Sequence, residues 1–378
     1  MPRPSFRRSL RFENLESREL LSGGIAAPTD QEQYMLELIN QARLNPQAAA
    51  VSVTSNLTPD ILATLANYNV DLNATEQAIA SAPAQPPLAW NPDLAAAAQA
   101  HSQDMATNQF QSHTGSDGST PDQRMQQAGY TNASSTGENA FAYATSIDEA
   151  MQAFLIDWGV SDAGHRRNIL QPDVSSSDAY QSVGIGIATT NNNSTVGPLV
   201  ITQDFGSQPN QQAELVGVAY YDNQHTGMYE MGAGQGGVQI DATNLLTGQT
   251  TSTQTWSTGG YQIALCPGQY QITASVNGTV VQTLPVTIGT ENVEQDFVLS
   301  NTWDGRSRDQ VINSLVPSAT TSQPVPSATT SQPVPSATTS QPVPSATTSQ
   351  PTAPVSTPSV SPLPTFSGSW TCWQAQVD

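Results

Sequence analysis

The chain contains no lysine, only two cysteines and four histidines, and no long apolar run. All 11 of its basic residues are arginine, set against 31 acids for a net charge of −20. Nucleic acid is bound through clustered lysine and arginine that displace counterions from phosphate, so this balance excludes nucleic acid as a natural partner. A basic peripheral membrane anchor is excluded for the same reason. No stretch reaches the roughly 18 to 20 apolar residues that cross a bilayer, so no transmembrane segment is expected. Cys266 and Cys372 form no metal-ligand spacing. Two lone thiols are the simpler reading, and a disulfide between them is the alternative. Hydrophobic residues make up only 37%, while proline and glycine number 27 and 26, so loop and linker occupy much of the length. At 378 residues there is still room for two folded units plus extensions.

What is present divides by pattern. Thr29-Asp30-Gln31-Glu32 has capping-box spacing, and Tyr34, Met35, Leu38, Ile39 and Ala42 follow with helical period until Asn45-Pro46 stops it. This predicts a helix over about 30–44. Residues 47–86 read as an insert, helical near 60–68 and ending in a loop. Asn91-Pro92-Asp93 opens a strong helix with Leu94, Ala97, Ala98, His101 and Met105 on one face. Further helices are expected near 122–128 and 147–158. "SVGIGIA" and "PLVITQDFG" then alternate as strands. Helices first and a hairpin last predict an α+β domain over 27–208.

From about 212 to 300 the chain reads as short alternating strands broken by Gly, Asn and Pro, which predicts a small all-β sandwich. "PGQYQITAS" and "GVAYYDNQHTGMYE" resemble the prealbumin-like spacer domains of bacterial surface proteins. Asp222, Asn223 and Glu230 carry a faint likeness to calcium loops, though with too few acids. From Pro317 a nine-residue unit, "PSATTSQPV", repeats in a Pro/Ser/Thr-rich stretch with no apolar face. Residues 301–378 are therefore expected to be a disordered linker with a short terminal tail. Residues 1–26 carry five arginines and lack an apolar signal core. "RFENLESRELLSGG" resembles the LEPR-XLL amino-terminal motif of exported bacterial proteins, which implies an export or sorting segment.

Three of the four histidines, His101, His113 and His165, fall within one stretch that also holds Glu138 in "TGENAFAY". Neutral imidazoles and a carboxylate are the groups that bind a divalent metal or relay protons near neutral pH. Their spacing fits no local zinc motif, so the fold would have to bring them together. His101 lies on an apolar helix face and reads as a hydrogen-bonded core histidine. Residue types alone make His165 a cap on the preceding helix, with Arg166 and Arg167 in surface salt bridges.

The ordered set "ELINQAR", "PLAWNPDLAAAAQAHSQDMA", "FQSHTGSDGSTPDQRMQQAGY", "GEN", "GHRRNIL", "GIGIA" and "DFG" resembles bacterial members of the CAP superfamily over residues 30–206. The resemblance implies an α-β-α sandwich with a cleft. His113, His165 and Glu138 would be its metal ligands, for zinc or another divalent ion. A second family glutamate is replaced here by Ser161, leaving Asp157 or Asp162 to substitute. Glu138, Ser161, Asp157 and Arg166 are then the candidate ligand-binding residues, with Asn168 securing backbone near the site. The expected function is a secreted or cell-surface protein whose cleft binds a metal or a small amphipathic molecule. One alternative is a hydrolase of peptides or cell-wall polymers with Glu138 as general base. In a variant of it, Ser161 would be a nucleophile activated by His165, without an elbow or oxyanion hole to support it. The other alternative is a structural component of the cell envelope.

Overall fold

The structure is a computed structural model that describes residues 26–191 and 193–299. The expectations for the export segment, the linker repeats, the terminal tail and Cys372 lie outside the described residues.

Helix α1 (Asp30–Leu44) begins with the capping box, Thr29 and Glu32 satisfying each other's backbone amides. It ends at Leu44, where the sequence pattern placed its stop, with Asn45 as the C-cap. Asn45 caps a new helix, α2 (Pro46–Thr54), with proline at its first position, where a missing N–H costs nothing. Helices α3 (Pro59–Asn67) and α4 (Leu72–Ala80) follow, each with a side-chain N-cap, so the insert is helical over most of its length. A short strand β1 (Ala89–Trp90) leads into α5 (Pro92–Asn108), capped by Asn91, and then α6 (Pro121–Ala128). Strand β2 (Ser135–Ala144), helices α7 (Ile147–Ile156) and α8 (Gly164–Leu170), and strands β3 (Ser182–Thr189) and β4 (Leu199–Ser207) complete the first half.

These strands form one sheet in the order β1-β3-β4-β2, with β4 antiparallel to both β3 and β2 and β1 parallel to β3. Helix α5 lies on one face so closely that a Cβ at Gly184 would sit 1.9 Å from the Ala95 backbone nitrogen, and one at Gly186 2.1 Å from that of Gln99. The glycines of "GIGIA" are thus a contact requirement. On the other face Val183, Ile185, Ile201 and Phe205 join Met35, Ile39, Phe154 and Leu155 in the main core. Strand β4 is buried along its whole length, Thr202, Gln203 and Asp204 included. Arg43, fully buried, gives hydrogen bonds to the carbonyls of Pro86, Ile169 and Tyr180 and to Gln171 Oε1, tying α1 to the end of α8. Burial pushes this guanidinium down to about 9, so it stays charged at neutral pH.

The second half holds β5 (Glu214–Tyr220), β6 (Gln239–Asn244), β7 (Thr250–Gln254), β8 (Gly260–Ala264), β9 (Gly268–Val276), β10 (Thr279–Ile288), β11 (Val293–Glu294) and β12 (Phe297–Val298). One sheet runs β10-β9-β6-β7. In the other, β5 pairs with β8, β11 and β12. Leu215, Tyr261, Ile263 and Phe297 from one sheet meet Ile240, Ile272, Ala274 and Val286 from the other in a shared core. The β region joins the first half through Asn292 Nδ2, which donates to the carbonyls of Pro87 and Gln181, and through Gln262 Nε2, which donates to that of Trp90.

One sequence reading changes here. Cys266 is disulfide-bonded, which corrects the lone-thiol reading. Asp222, the first acid of the calcium-like loop, spends both oxygens on the amides of Thr226 and Gly227, and Glu230 accepts from Gln224. Asp222 thereby pins a backbone turn, and Glu230 holds a neighbouring side chain of the same loop.

Candidate functional site

Strand β2 is the outer strand of the first sheet, and the site wraps its edge. Period-two alternation sends Glu138 to the α5 face and Asn139 to the opposite face. Glu138 is deeply buried, and both of its carboxylate oxygens have partners. Oε1 accepts from His113 Nδ1 at 2.8 Å, and Oε2 pairs with the Arg124 guanidinium. Arg124, on α6, also donates to the carbonyls of His113 and Ser119, fixing the loop that carries His113. The His113 side chain is 55% exposed, so its far edge faces solvent.

Asn139 works on the other face. Its Nδ2 donates to the His165 carbonyl at 3.2 Å and to Gln203 Oε1 at 3.0 Å, while Asn168 Nδ2 donates to Asn139 Oδ1 and to the Glu138 carbonyl. "GEN" and "GHRRNIL" are thereby hydrogen-bonded to each other, which sets α8 against β2. Asp157 follows α7 in the left-handed region, with φ of 64°, and its N–H closes that helix on Ala153. Its carboxylate accepts from His165 Nδ1 at 2.7 Å and from the Arg166 amide at 3.0 Å. Asp157, not His165, therefore caps the preceding helix, contrary to the expectation from residue types.

The His113 and His165 rings come within 6.4 Å, centroid to centroid. An ionised carboxylate only accepts hydrogen bonds, so each imidazole points an Nδ1–H at its acid, and in the neutral ring the lone pair is then on Nε2. Two residue-distant histidines thus share one tautomer, each with an acid behind it. This donor chemistry fits a divalent transition metal: carboxylate-backed imidazole is the arrangement that orients metal-ligating histidines and raises their basicity.

Other candidates are placed differently. His101 is fully buried, its Nε2 donating to the Ser112 carbonyl at 2.8 Å and lying 4.0 Å from Glu138. Burial holds its pKa below the usual value, against the pull of Glu138, so it is a neutral core histidine. Ser161 and Asp162 are exposed in the α7–α8 turn, and among the described residues no hydrogen bond joins Ser161 to His165. Arg166 donates to the Leu155 carbonyl and Arg167 pairs with Asp173.

The sequence reading missed Arg124 and Asp204. Asp204 faces Glu138 directly across the β2–β4 pair and is wholly buried. Its carboxyl is held well above the usual carboxylate range, by burial first and then by the charge of Glu138, with Arg124 opposing. The available signals were a lone arginine in "PDQR" and an aspartate inside the largely apolar "VITQDFG" strand.

Residues 36–205 match the family model for CAP, the cysteine-rich secretory protein family. This stretch is a CAP-family domain. The CAP match takes in His113, Glu138, Asp157, His165 and Asp204, and covers under half of the chain. A solved structure described as an extracellular protein containing an SCP domain from Bacillus anthracis str. Ames is similar to the chain at 24% identity and a TM-score of 0.26. The likeness covers 41% of this chain and 45% of that one, so the chain spans under half of that neighbour's length. No curated protein matches the sequence. Among the described residues no helix is long and apolar enough to cross a membrane.

Proposed function

We propose that this is an exported CAP-domain protein whose cleft binds a divalent metal ion of the zinc class. The observation that carries the reading is the pair of imidazoles 6.4 Å apart, each anchored through Nδ1 to a carboxylate. His113 and His165 would hold the ion through Nε2. When bound, the ion supplies a Lewis-acid centre at the cleft mouth. Glu138 and Asp157 orient the rings, and Arg124 neutralises Glu138. Both Glu138 oxygens already accept a hydrogen bond, one from His113 and one from Arg124, so in this arrangement its first role is to position those two side chains. The disulfide at Cys266 supports export, since disulfides persist in oxidising compartments.

Isothermal titration of zinc into the full chain tests the reading. One site per chain is expected, with affinity lowered at least about 100-fold in His113→Ala and in His165→Ala. An absence of zinc uptake by the wild-type chain, or uptake indifferent to both substitutions, would overturn it.

A further inference from the structure

Asparagine followed two residues later by serine or threonine, with any residue but proline between, is the acceptor motif for N-linked sugar. Among the described residues it occurs at Asn56, Asn73, Asn132, Asn193 and Asn277, and all five are exposed. Asparagines with structural work lack it. Asn40, Asn91, Asn139 and Asn292 hold backbone groups with their side-chain amides, and none is followed by a hydroxyl residue at that spacing. Four of the five motifs are partly committed to the fold: Thr58 caps α3, Ser134 bonds to Ser207, Thr195 bonds to Gln109, and Asn73 lies inside α4. The fifth is free. Asn277 and Gly278 are the two turn residues of the β9–β10 hairpin, with φ of 49° and 77°, and Thr279 pairs with Val276 to close it. Among the described residues neither Asn277 nor Thr279 makes a side-chain hydrogen bond. The amide nitrogen and the hydroxyl that define the motif are thus both presented at the hairpin tip.

The strand that leaves this turn has a liability that a sugar would cover. β10 is an outer strand of its sheet and contains no charged residue. Beside a register shift near the turn, Val280 and Val281 are 58% and 41% exposed. An outer strand that is apolar and uncharged invites pairing with another chain, and lysine, a common device against it, is absent from this protein. Pro285 removes a donor further along, but the turn end has neither charge nor proline. Val280 lies three residues from Asn277, at most about 11 Å along the chain, within the cover of a short oligosaccharide. We infer that Asn277 carries an N-linked oligosaccharide that shields the turn end of β10. The donor class is an oligosaccharide carried on a lipid pyrophosphate. Asn277 Nδ2 bonds to the anomeric carbon, the bond from that carbon to the phosphate oxygen breaks, the lipid pyrophosphate leaves, and Nδ2 releases one proton. Of the proposed function this uses only export, and the metal cleft plays no part in it.

Mass spectrometry of the full chain purified from the cells that make it tests the inference. No arginine lies between Arg167 and Arg306 and there is no lysine, so trypsin leaves residue 277 in one long peptide. Chymotrypsin, cutting after Tyr270 and Leu284, isolates it. The peptide should carry a sugar mass, and a peptide-N-glycosidase in heavy-oxygen water should convert residue 277 to labelled aspartate. Thr279→Ser should keep the sugar and Thr279→Ala should lose it. The enzymatically deglycosylated chain should shift in sedimentation from monomer towards a concentration-dependent oligomer. Unmodified Asn277 in the wild-type chain would overturn the inference without any variant having to fold. Recovery of that unmodified chain outside the cell would leave the export reading standing, so the two failures are distinguishable. A sugar retained in Thr279→Ala, or a deglycosylated chain that stays monomeric at every concentration, would equally overturn it, the first for the motif and the second for the shielding.

Discussion

Replacing Asp157 by asparagine isolates the acid behind His165. Asparagine tolerates the left-handed backbone at this position, with φ of 64°, so the substitution introduces little backbone strain. The carboxylate now accepts from two donors, His165 Nδ1 at 2.7 Å and the Arg166 amide at 3.0 Å. An asparagine has one acceptor oxygen, so its NH₂ must face one of those two N–H groups. Donor against donor at a site that is 5% exposed costs about 1–3 kcal/mol of stability. The alternative is for His165 to move its proton to Nε2, which removes the lone pair from the cleft. Loss of such an outer partner lowers metal affinity about 10–100-fold. Competition of the full chain with a chromophoric zinc chelator measures the affinity, and urea unfolding measures the stability. Zinc affinity within about twofold of wild type, in a folded Asp157→Asn protein, would refute the role given to Asp157.

Arg43→Met should lower stability by about 3–5 kcal/mol in urea, because three carbonyls and Gln171 Oε1 lose the buried cation that serves them; a loss under about 1 kcal/mol would contradict that role. Gly184→Ala places a methyl 1.9 Å from the Ala95 nitrogen, so α5 must move away from β3. A fall in stability of about 3 kcal/mol is expected by thermal unfolding. Burial raises Glu214 from 4.5 to about 7. The folded state then holds the extra proton between those values, so stability should fall as pH rises from about 4.5 to 7. Glu214→Gln should remove that slope, worth at most about 3 kcal/mol, in denaturation curves collected across the range. An unchanged slope would show that Glu214 is not its source.

The elements most legible in the sequence were those with local causes. Thr29 and Glu32 announced α1, Asn91-Pro92 announced α5, and short alternating or apolar runs announced β3 and β4. The end of α1 at Asn45-Pro46 was legible, but the start of α2 there was not, because a proline that stops one helix also suits the first turn of the next. The histidines could be nominated from residue type and from the family resemblance, but their carboxylate partners could not. Asp157 was one of two nearby acids, and its choice over Asp162 depends on a left-handed turn that aims it back at His165. Arg124 and Asp204 escaped because their meaning comes from a pairing across strands and helices, Glu138 opposite Asp204 and beside α6, that no local pattern encodes.

X-ray absorption at the zinc edge of the metal-loaded full chain tests the central claim most directly. Two imidazole nitrogens at about 2.0–2.1 Å from the metal are predicted, with His113→Ala and His165→Ala each removing one. A zinc shell without imidazole, or one unchanged by either substitution, would contradict the account.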